Sequence, residues 1–325
     1  MILVDAAFTS LVLPRRPRDA HKGNFGRAFL LCGSVGYVGA ARLAAMGCLR
    51  AGAGLVCLGA PRGIYHILAA SCPPEVMCYP LQEDREGRLS LDALPDIQDR
   101  LAWCDAALIG PGLGRSESLD CLVRLLCDRR EAPLVVDADG LNALSGHRPE
   151  RREAPLVLTP HEAEFWRLAG TGAGGAAAPT DFAESARWLA YETGAVVVRK
   201  GHATLTASPD GAMYVNTTGN PGMAKGGSGD LLAGFVTGLM AQKAAAPDLW
   251  RRVDVAVLVA CAVYWHGLAG DLCAAELGEY AMTVTDIAAK LPAGMAGVAN
   301  VASTAGVANV ASTAGVASVS VPEVG

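Results

Sequence analysis

The segment GNPGMAKGGSGD, residues 219–230, sets Gly226, Gly227, Ser228 and Gly229 directly before Asp230 and an apolar run starting at Leu231. The first N–H groups of a helix have no partners within it, and the helix dipole adds partial positive charge there. Small residues at that end leave the donors open, so Gly227, Ser228 and Gly229 can form an anion hole for a phosphoryl group in transfer. No Gly-Lys-Ser/Thr follows, which excludes a Walker A loop. Asp230, in the first helical turn, has two readings. As a cap it would stabilise by about 1 kcal/mol. As a base it would take the proton of a substrate hydroxyl whose oxygen attacks phosphorus. Capping does not call for three surrounding glycines, which favours the base.

Other chemistry-bearing residues follow short apolar runs. GSVGYVG (33–39) leads into a helical pattern and reads either as a tight turn or as an anion site. Its glycines at 33, 36 and 39 do not fit G-x-G-x-x-G, and no acidic residue lies near position 60, so the dinucleotide fingerprint fails. GPGLG (110–114) would let a ligand approach the backbone. Asp137 or Asp139 can help hold Mg²⁺ through water, and Asp139 can equally be a helix N-cap. His161 can meet a substrate or cap the helix containing Glu162 and Glu164. The segment RKGHAT, 199–204, can present backbone groups and Lys200 to a nucleotide.

The elements that must position these groups alternate. Strand-like runs are expected at 28–32, 54–58, 106–109, 134–137, 156–158 and 196–199, with helical periodicity at 40–50, 117–130 and 183–192. Apolar strands alternating with helices imply an α/β fold with a mainly parallel sheet covered on both faces. A hairpin at 204–207 and 212–215, turning at SPDG, makes the sheet mixed at one edge. Two or three helices should follow between 229 and 291. The Gly/Ala stretch 170–179 reads as a loop. The stretch 293–325 repeats GVANVASTA and reads as a low-complexity, disordered tail behind a single catalytic domain, 1–292.

Composition narrows the classes. Of 325 residues, 51% are hydrophobic and 18% charged, which excludes a disordered chain. The net charge of −5, with no basic block, argues against nucleic acid and against a membrane surface. The apolar run 255–265 is too short to span a bilayer and reads as a buried helix. Ten cysteines without a C-x-x-C pair read as free thiols in a reducing cytoplasm. Glycine is over-represented, with 38 residues against a usual share of about 7%. Half of them lie in the three glycine-rich regions rather than in the tail.

Taken in order, these blocks resemble the ADP-dependent NAD(P)H-hydrate dehydratase family within the ribokinase-like superfamily, over roughly 25–292. The resemblance rests on 33–54 with its LRAGAG ending, 110–114, 137–142, TPH at 159–161, Lys200-Gly201 and above all 219–230. It implies a ribokinase-like three-layer α/β/α fold and a repair activity. The hydroxyl of a hydrated reduced nicotinamide nucleotide is phosphorylated at the expense of ADP (or ATP) with Mg²⁺, and phosphate is then expelled. Carried over by motif, Asp230 activates the hydroxyl while Gly227, Ser228 and Gly229 hold the phosphoryl group. Ala40, Gly112, Gly114 and His161, with Asp230, contact the hydrate. Lys200, Gly201, His202, Ala203 and Thr204, with Gly229, contact the adenine nucleotide. The resemblance also implies a homo-oligomer, a tetramer favoured, and a separate epimerase acting on the other hydrate epimer.

Two departures stand out. Lys225 occupies a position usually Thr or Ser, where a cation would strengthen phosphate binding or point to solvent. Glu162-Ala163 replaces Pro-Gly, which puts the helix start after His161 in question. The competing readings are an ATP-dependent small-molecule kinase of the same superfamily, for a vitamin precursor or sugar, and a nucleotide-binding sensor with a vestigial site.

Overall fold

The computed structural model describes residues 1–304 except 11, 129–131, 150–151 and 171–177, with backbone alone over 297–304. Among the described residues the strands are β1 (Ile2–Val4), β2 (Arg27–Leu31), β3 (Leu55–Pro61), β4 (Val76–Leu81), β5 (Ala106–Ile109), β6 (Leu134–Val136), β7 (Leu156–Leu158), β8 (Val196–Arg199), β9 (Leu205–Ala207) and β10 (Met213–Asn216). The helices are α1 (Ala6–Thr9), α2 (Val38–Ala51), α3 (Tyr65–Ser71), α4 (Leu94–Trp103), α5 (Glu117–Cys127), α6 (Asp139–Ala143), α7 (Glu162–Ala169), α8 (Phe182–Thr193), α9 (Ser228–Ala245), α10 (Val255–Ala281) and α11 (Val284–Thr304).

One ten-stranded sheet runs β1-β10-β9-β8-β7-β6-β5-β2-β3-β4. From β4 to β8 every pairing is parallel; β8–β9 and β9–β10 are antiparallel, so the sheet is mixed at the expected edge. Successive residues face opposite layers. Leu30 and Val157 pack with α2, α9, α10 and α11, whereas Phe29, Leu31, Leu156 and Leu158 pack with α4 through α8. Strands buried on both faces have no polar side to alternate, hence their continuous apolar runs. The fold is the three-layer ribokinase-like α/β/α arrangement.

Edge strands β1 and β4 were not expected. Three residues beside the N-terminus and a segment containing Pro80 give little periodic signal. The apolar run 255–265 belongs to the longer helix α10, which has the length and apolarity to cross a membrane but is mostly buried in this core. Helix α11 passes through Pro292 to Thr304, across the boundary expected at 292. The rest of the repeat tail, 305–325, lies outside the described residues, as does most of the loop 170–179. All ten cysteines are free thiols, most of them buried. Burial pushes Cys104, Cys127 and Cys261 up to about 12, which keeps them protonated and unreactive.

The approach of α2 to α9 matters most for the site. A Cβ on Gly234 would stand 1.9 Å from the Ala44 carbonyl oxygen, and one on Gly47 would stand 2.2 Å from that of Leu231. Only hydrogen fits at both crossings. The two helices therefore lie backbone to backbone, and the glycine-rich loops that precede them end side by side.

Candidate active site

The loops after β2, β5, β6, β7 and β8 all leave the carboxyl edge of the parallel strands, where open α/β sheets bind ligands. Gly110 lets two of them meet, since a Cβ there would stand 1.8 Å from the carbonyl oxygen of Asp137. Ala138 is the positive-φ non-glycine residue among those described, at φ 50°. Strain of this kind persists where the surroundings enforce it. It divides the two neighbouring carboxylates. Asp139 Oδ2 accepts from the Gly114 N–H at 2.9 Å, and Asp137 turns inward. Asp139 is therefore the first residue of α6, and Ala138 takes the N-cap position.

Asp137 is 1% exposed, and its Oδ1 accepts from Thr159 Oγ1 and from Lys200 Nζ, each at 2.8 Å. Lys200 Nζ also lies 3.8 Å from Glu164 Oε2. Burial works against the Lys200 ammonium, but Asp137 and Glu164 outweigh it and raise its pKa, so it stays a cation. Glu164 is 5% exposed; burial pushes it up, opposed by Lys200 and assisted by Asp137.

His161 is the N-cap of α7. Its Nδ1 accepts from the N–H groups of Ala163 and Glu164, and its own N–H donates to Glu164 Oε2 at 2.8 Å. With Nδ1 accepting, Nε2 carries the proton and faces Glu164 Oε1 at 3.2 Å. The helix begins at Glu162 as a complete capping box, so Glu162-Ala163 does not disturb it.

Gly227, at φ 99°, turns the chain into α9, and no side chain caps that helix. The N–H groups of Gly229 and Asp230 are thus left without a cap, while that of Ser228 donates to the Lys225 carbonyl at 3.3 Å. A Cβ on Gly229 would lie 3.2 Å from Lys200 Nζ and 3.5 Å from Asp137 Oδ2, so the helix start faces that ion pair directly. Asp230 follows in the first turn. Burial, then the nearby Asp137, pushes its carboxyl up to about 6, with Lys200 opposing. A carboxylate tuned to that range can accept a proton near neutral pH.

On the other side, Gly112 at φ 65° lies against Tyr37 and Ala40, where its Cβ would stand 2.8 and 2.9 Å from theirs. Ser34 Oγ donates to the Gly112 carbonyl at 2.8 Å. Gly114 packs on the stem of Arg88, which is held by Asp84 at 2.9 Å. Beyond β8, Gly201, His202 and Ala203 are exposed, and Thr204 Oγ1 donates to the Gly201 carbonyl to close the turn. The structure thus gathers the expected residues along one edge.

Lys225 is exposed and makes backbone contacts the sequence did not suggest. Its Nζ donates to the carbonyls of Glu279, Tyr280 and Met282, tying the 219–230 loop to the end of α10. Three contributors escaped sequence reasoning. Asp271 accepts from the Gly219 N–H at 2.9 Å and from Asn220 Nδ2 at 3.0 Å, anchoring the loop. Glu164 bridges His161 and Lys200. His266, 6% exposed and pulled down to about 4 by burial, is a neutral imidazole near Ser228. Asp271 and His266 reach the site from a distant segment, and Glu164, three residues after His161, meets Lys200 from another strand; spacing reveals neither.

Among the described residues no three His, Cys, Asp or Glu side chains gather as a metal cage. The donor set instead suits Mg²⁺ carried by phosphates and water. Asp137 Oδ2 faces the start of α9, where it can accept from a metal-bound water.

A mainly parallel sheet between helical layers, with glycine-rich loops, an uncapped helix start and a buried carboxylate gathered at its carboxyl edge, gives the protein a ribokinase-like architecture. The sequence profile of the NAD(P)H-hydrate dehydratase family matches residues 28–293, and the chain belongs to that family. It is 44% identical over 292 residues to the bifunctional NAD(P)H-hydrate repair enzyme Nnr of Moorella thermoacetica, covering 89% of this chain and 53% of that protein. The chain thus spans about half the length of the first relatives it matches. The ADP-dependent (S)-NAD(P)H-hydrate dehydratase of Neisseria meningitidis is 36% identical, with 80% of this chain and 81% of the relative covered. Among solved structures, the ADP/ATP-dependent NAD(P)H-hydrate dehydratase of Bacillus subtilis, co-crystallised with ATP/Mg²⁺, superposes with a TM-score of 0.76 at 30% identity, over 91% and 98% of the two chains. A ribokinase-like protein of Enterococcus faecalis gives 0.75 at 28%, over 92% and 96%.

Proposed function

We propose that this protein repairs hydrated nicotinamide nucleotides, dehydrating (S)-NADHX or (S)-NADPHX to NADH or NADPH with conversion of ADP to AMP and phosphate. The observation that carries the reading is Asp230, a carboxylate tuned to about 6 beside the uncapped start of α9. In the first step Asp230 takes the hydroxyl proton as that oxygen attacks the terminal phosphorus of the nucleotide, and AMP leaves. Gly227, Ser228 and Gly229 receive the charge that grows on the phosphoryl oxygens. In the second step the C–O bond breaks, phosphate departs with the bonding pair, and the adjacent ring carbon gives up a proton, so that the C=C bond of the reduced ring is restored.

Ala40, Gly112, Gly114 and His161 hold the hydrate, with the exposed turn 200–204 and Gly229 holding the adenine nucleotide. Lys200 acts beside them as a fixed cation, paired with Asp137. When bound with the nucleotide, Mg²⁺ supplies charge neutralisation, with Asp137 or Asp139 reached through water. The family match ends at residue 293, in keeping with a catalytic domain over 1–292. The reading extends to a cytoplasmic homo-oligomer, a tetramer favoured, working with a separate epimerase; the Moorella relative's bifunctional name accords with such a pairing.

Product analysis separates dehydration from the kinase alternative. With hydrate, ADP and Mg²⁺, AMP, phosphate and reduced nucleotide should appear in equal amounts. A phosphorylated hydrate that accumulates without loss of phosphate would overturn the dehydratase reading in favour of a kinase.

A further inference from the structure

We infer that Glu164 is a positioning residue that couples the hydrate side of the site to its phosphoryl side. The inference rests on the proposed function, which puts the hydrate at His161 and the nucleotide beyond Lys200. Glu164 projects from the first turn of α7, and both its oxygens are engaged. Oε1 faces His161 Nε2 at 3.2 Å; Oε2 accepts from the His161 N–H at 2.8 Å and lies 3.8 Å from Lys200 Nζ. Lys200 in turn donates to Asp137 Oδ1 at 2.8 Å, and both border the Cα of Gly229. A chain of contacts therefore runs His161–Glu164–Lys200–Asp137–Gly229, buried at Glu164 and Asp137 and exposed at His161, from the residue expected at the hydrate to the helix start expected at the phosphoryl group.

Capping alone does not account for this arrangement. A capping box needs only the bond from Glu164 to the His161 N–H. The second oxygen, the ring of His161 and the ammonium beyond are additional. A largely buried carboxylate shared among one hydrogen-bond donor, an imidazole and an ammonium interacts more strongly with the first two when the ammonium is drawn away. A phosphoryl group arriving at Gly229 attracts Lys200. Glu164 then holds the backbone and ring of His161 more firmly, in the geometry that receives the hydrate. Binding at either end favours binding at the other.

The test is a binding cycle that needs no turnover. The affinity for α,β-methylene-ADP with Mg²⁺ is measured calorimetrically with and without saturating NADPH, the repaired product. In the wild type each ligand should tighten the other by about fivefold or more, equally in both directions. Glu164→Gln keeps an acceptor for the His161 N–H but not the charge, so both ligands should still bind while the coupling factor falls to about one. Glu164→Asp keeps the charge on a shorter side chain; it is the second variant should Glu164→Gln not fold, and it should weaken the coupling with both ligands still bound. Independent binding in the wild type, or coupling unchanged in either variant, would overturn this role for Glu164 alone. Failure of the wild type to bind either ligand would overturn the proposed function as well.

Discussion

Lys200 Nζ lies 2.8 Å from Asp137 Oδ1, joining the ends of β8 and β6 across the intervening β7. The pair lies beside Gly229 at the start of α9, and the sheet brings its two members together from separate strand ends. Removing one partner of a buried pair leaves the other charge uncompensated. Lys200→Met should lower unfolding stability by about 3 kcal/mol in denaturant titrations. Asp137→Asn combined with Lys200→Met should cost less than the sum of the single changes. Strict additivity would contradict the pairing.

Gly229 separates folding from function. Alanine is the better helix former, and the helix start has room for it in the backbone sense. Its Cβ, however, would stand 3.2 Å from Lys200 Nζ, in the space assigned to the phosphoryl oxygens. Gly229→Ala should melt within a degree or two of the wild type or above it, yet lose turnover by about a hundredfold or more. Unchanged turnover would move the anion hole elsewhere.

Asp230 gives a pH signature. The base acts as a carboxylate, so kcat/KM should fall on the acid side, half-maximal near pH 6. The stability effect has the opposite sense. The folded-state pKa is raised above its unfolded value, so the folded form holds the proton more tightly, and stability declines as pH rises towards and through about 6. Asp230→Asn should therefore lose turnover by about a thousandfold while melting at or above the wild-type temperature at pH 8. A variant that both melts lower and keeps its rate would refute the assignment.

Lys225 is assigned to structure. Its ammonium satisfies carbonyls at the end of α10. Lys225→Ala should lower stability by about 1 kcal/mol while leaving the affinity for inorganic phosphate unchanged. Weakened phosphate binding without a stability change would restore the role of anion partner.

How much of this was written in the sequence varies with the range of the interaction. The strands 106–109, 156–158 and 196–199 coincide with β5, β7 and β8, because strands buried on both faces must be apolar throughout. The uncapped start of α9 was legible too, since it follows from the small residues Gly227, Ser228 and Gly229 themselves. The role of Glu164 beyond capping was not, because its partner Lys200 comes from another strand. The contacts of Lys225 were hidden for the same reason. Its neighbours in sequence belong to the anion hole, but its bonds go to residues 279–282. Local geometry is encoded locally, whereas the pairing of charges waits for the sheet to bring strand ends together.

The central claim is tested most directly by incubating the protein with NADHX, ADP and Mg²⁺ and following reduced-nicotinamide absorbance, with Asp230→Asn in parallel. The account predicts that absorbance returns with the wild type, in step with AMP release, and fails to return with the variant. No recovery by the wild type with either ADP or ATP, or equal recovery by both proteins, would contradict it.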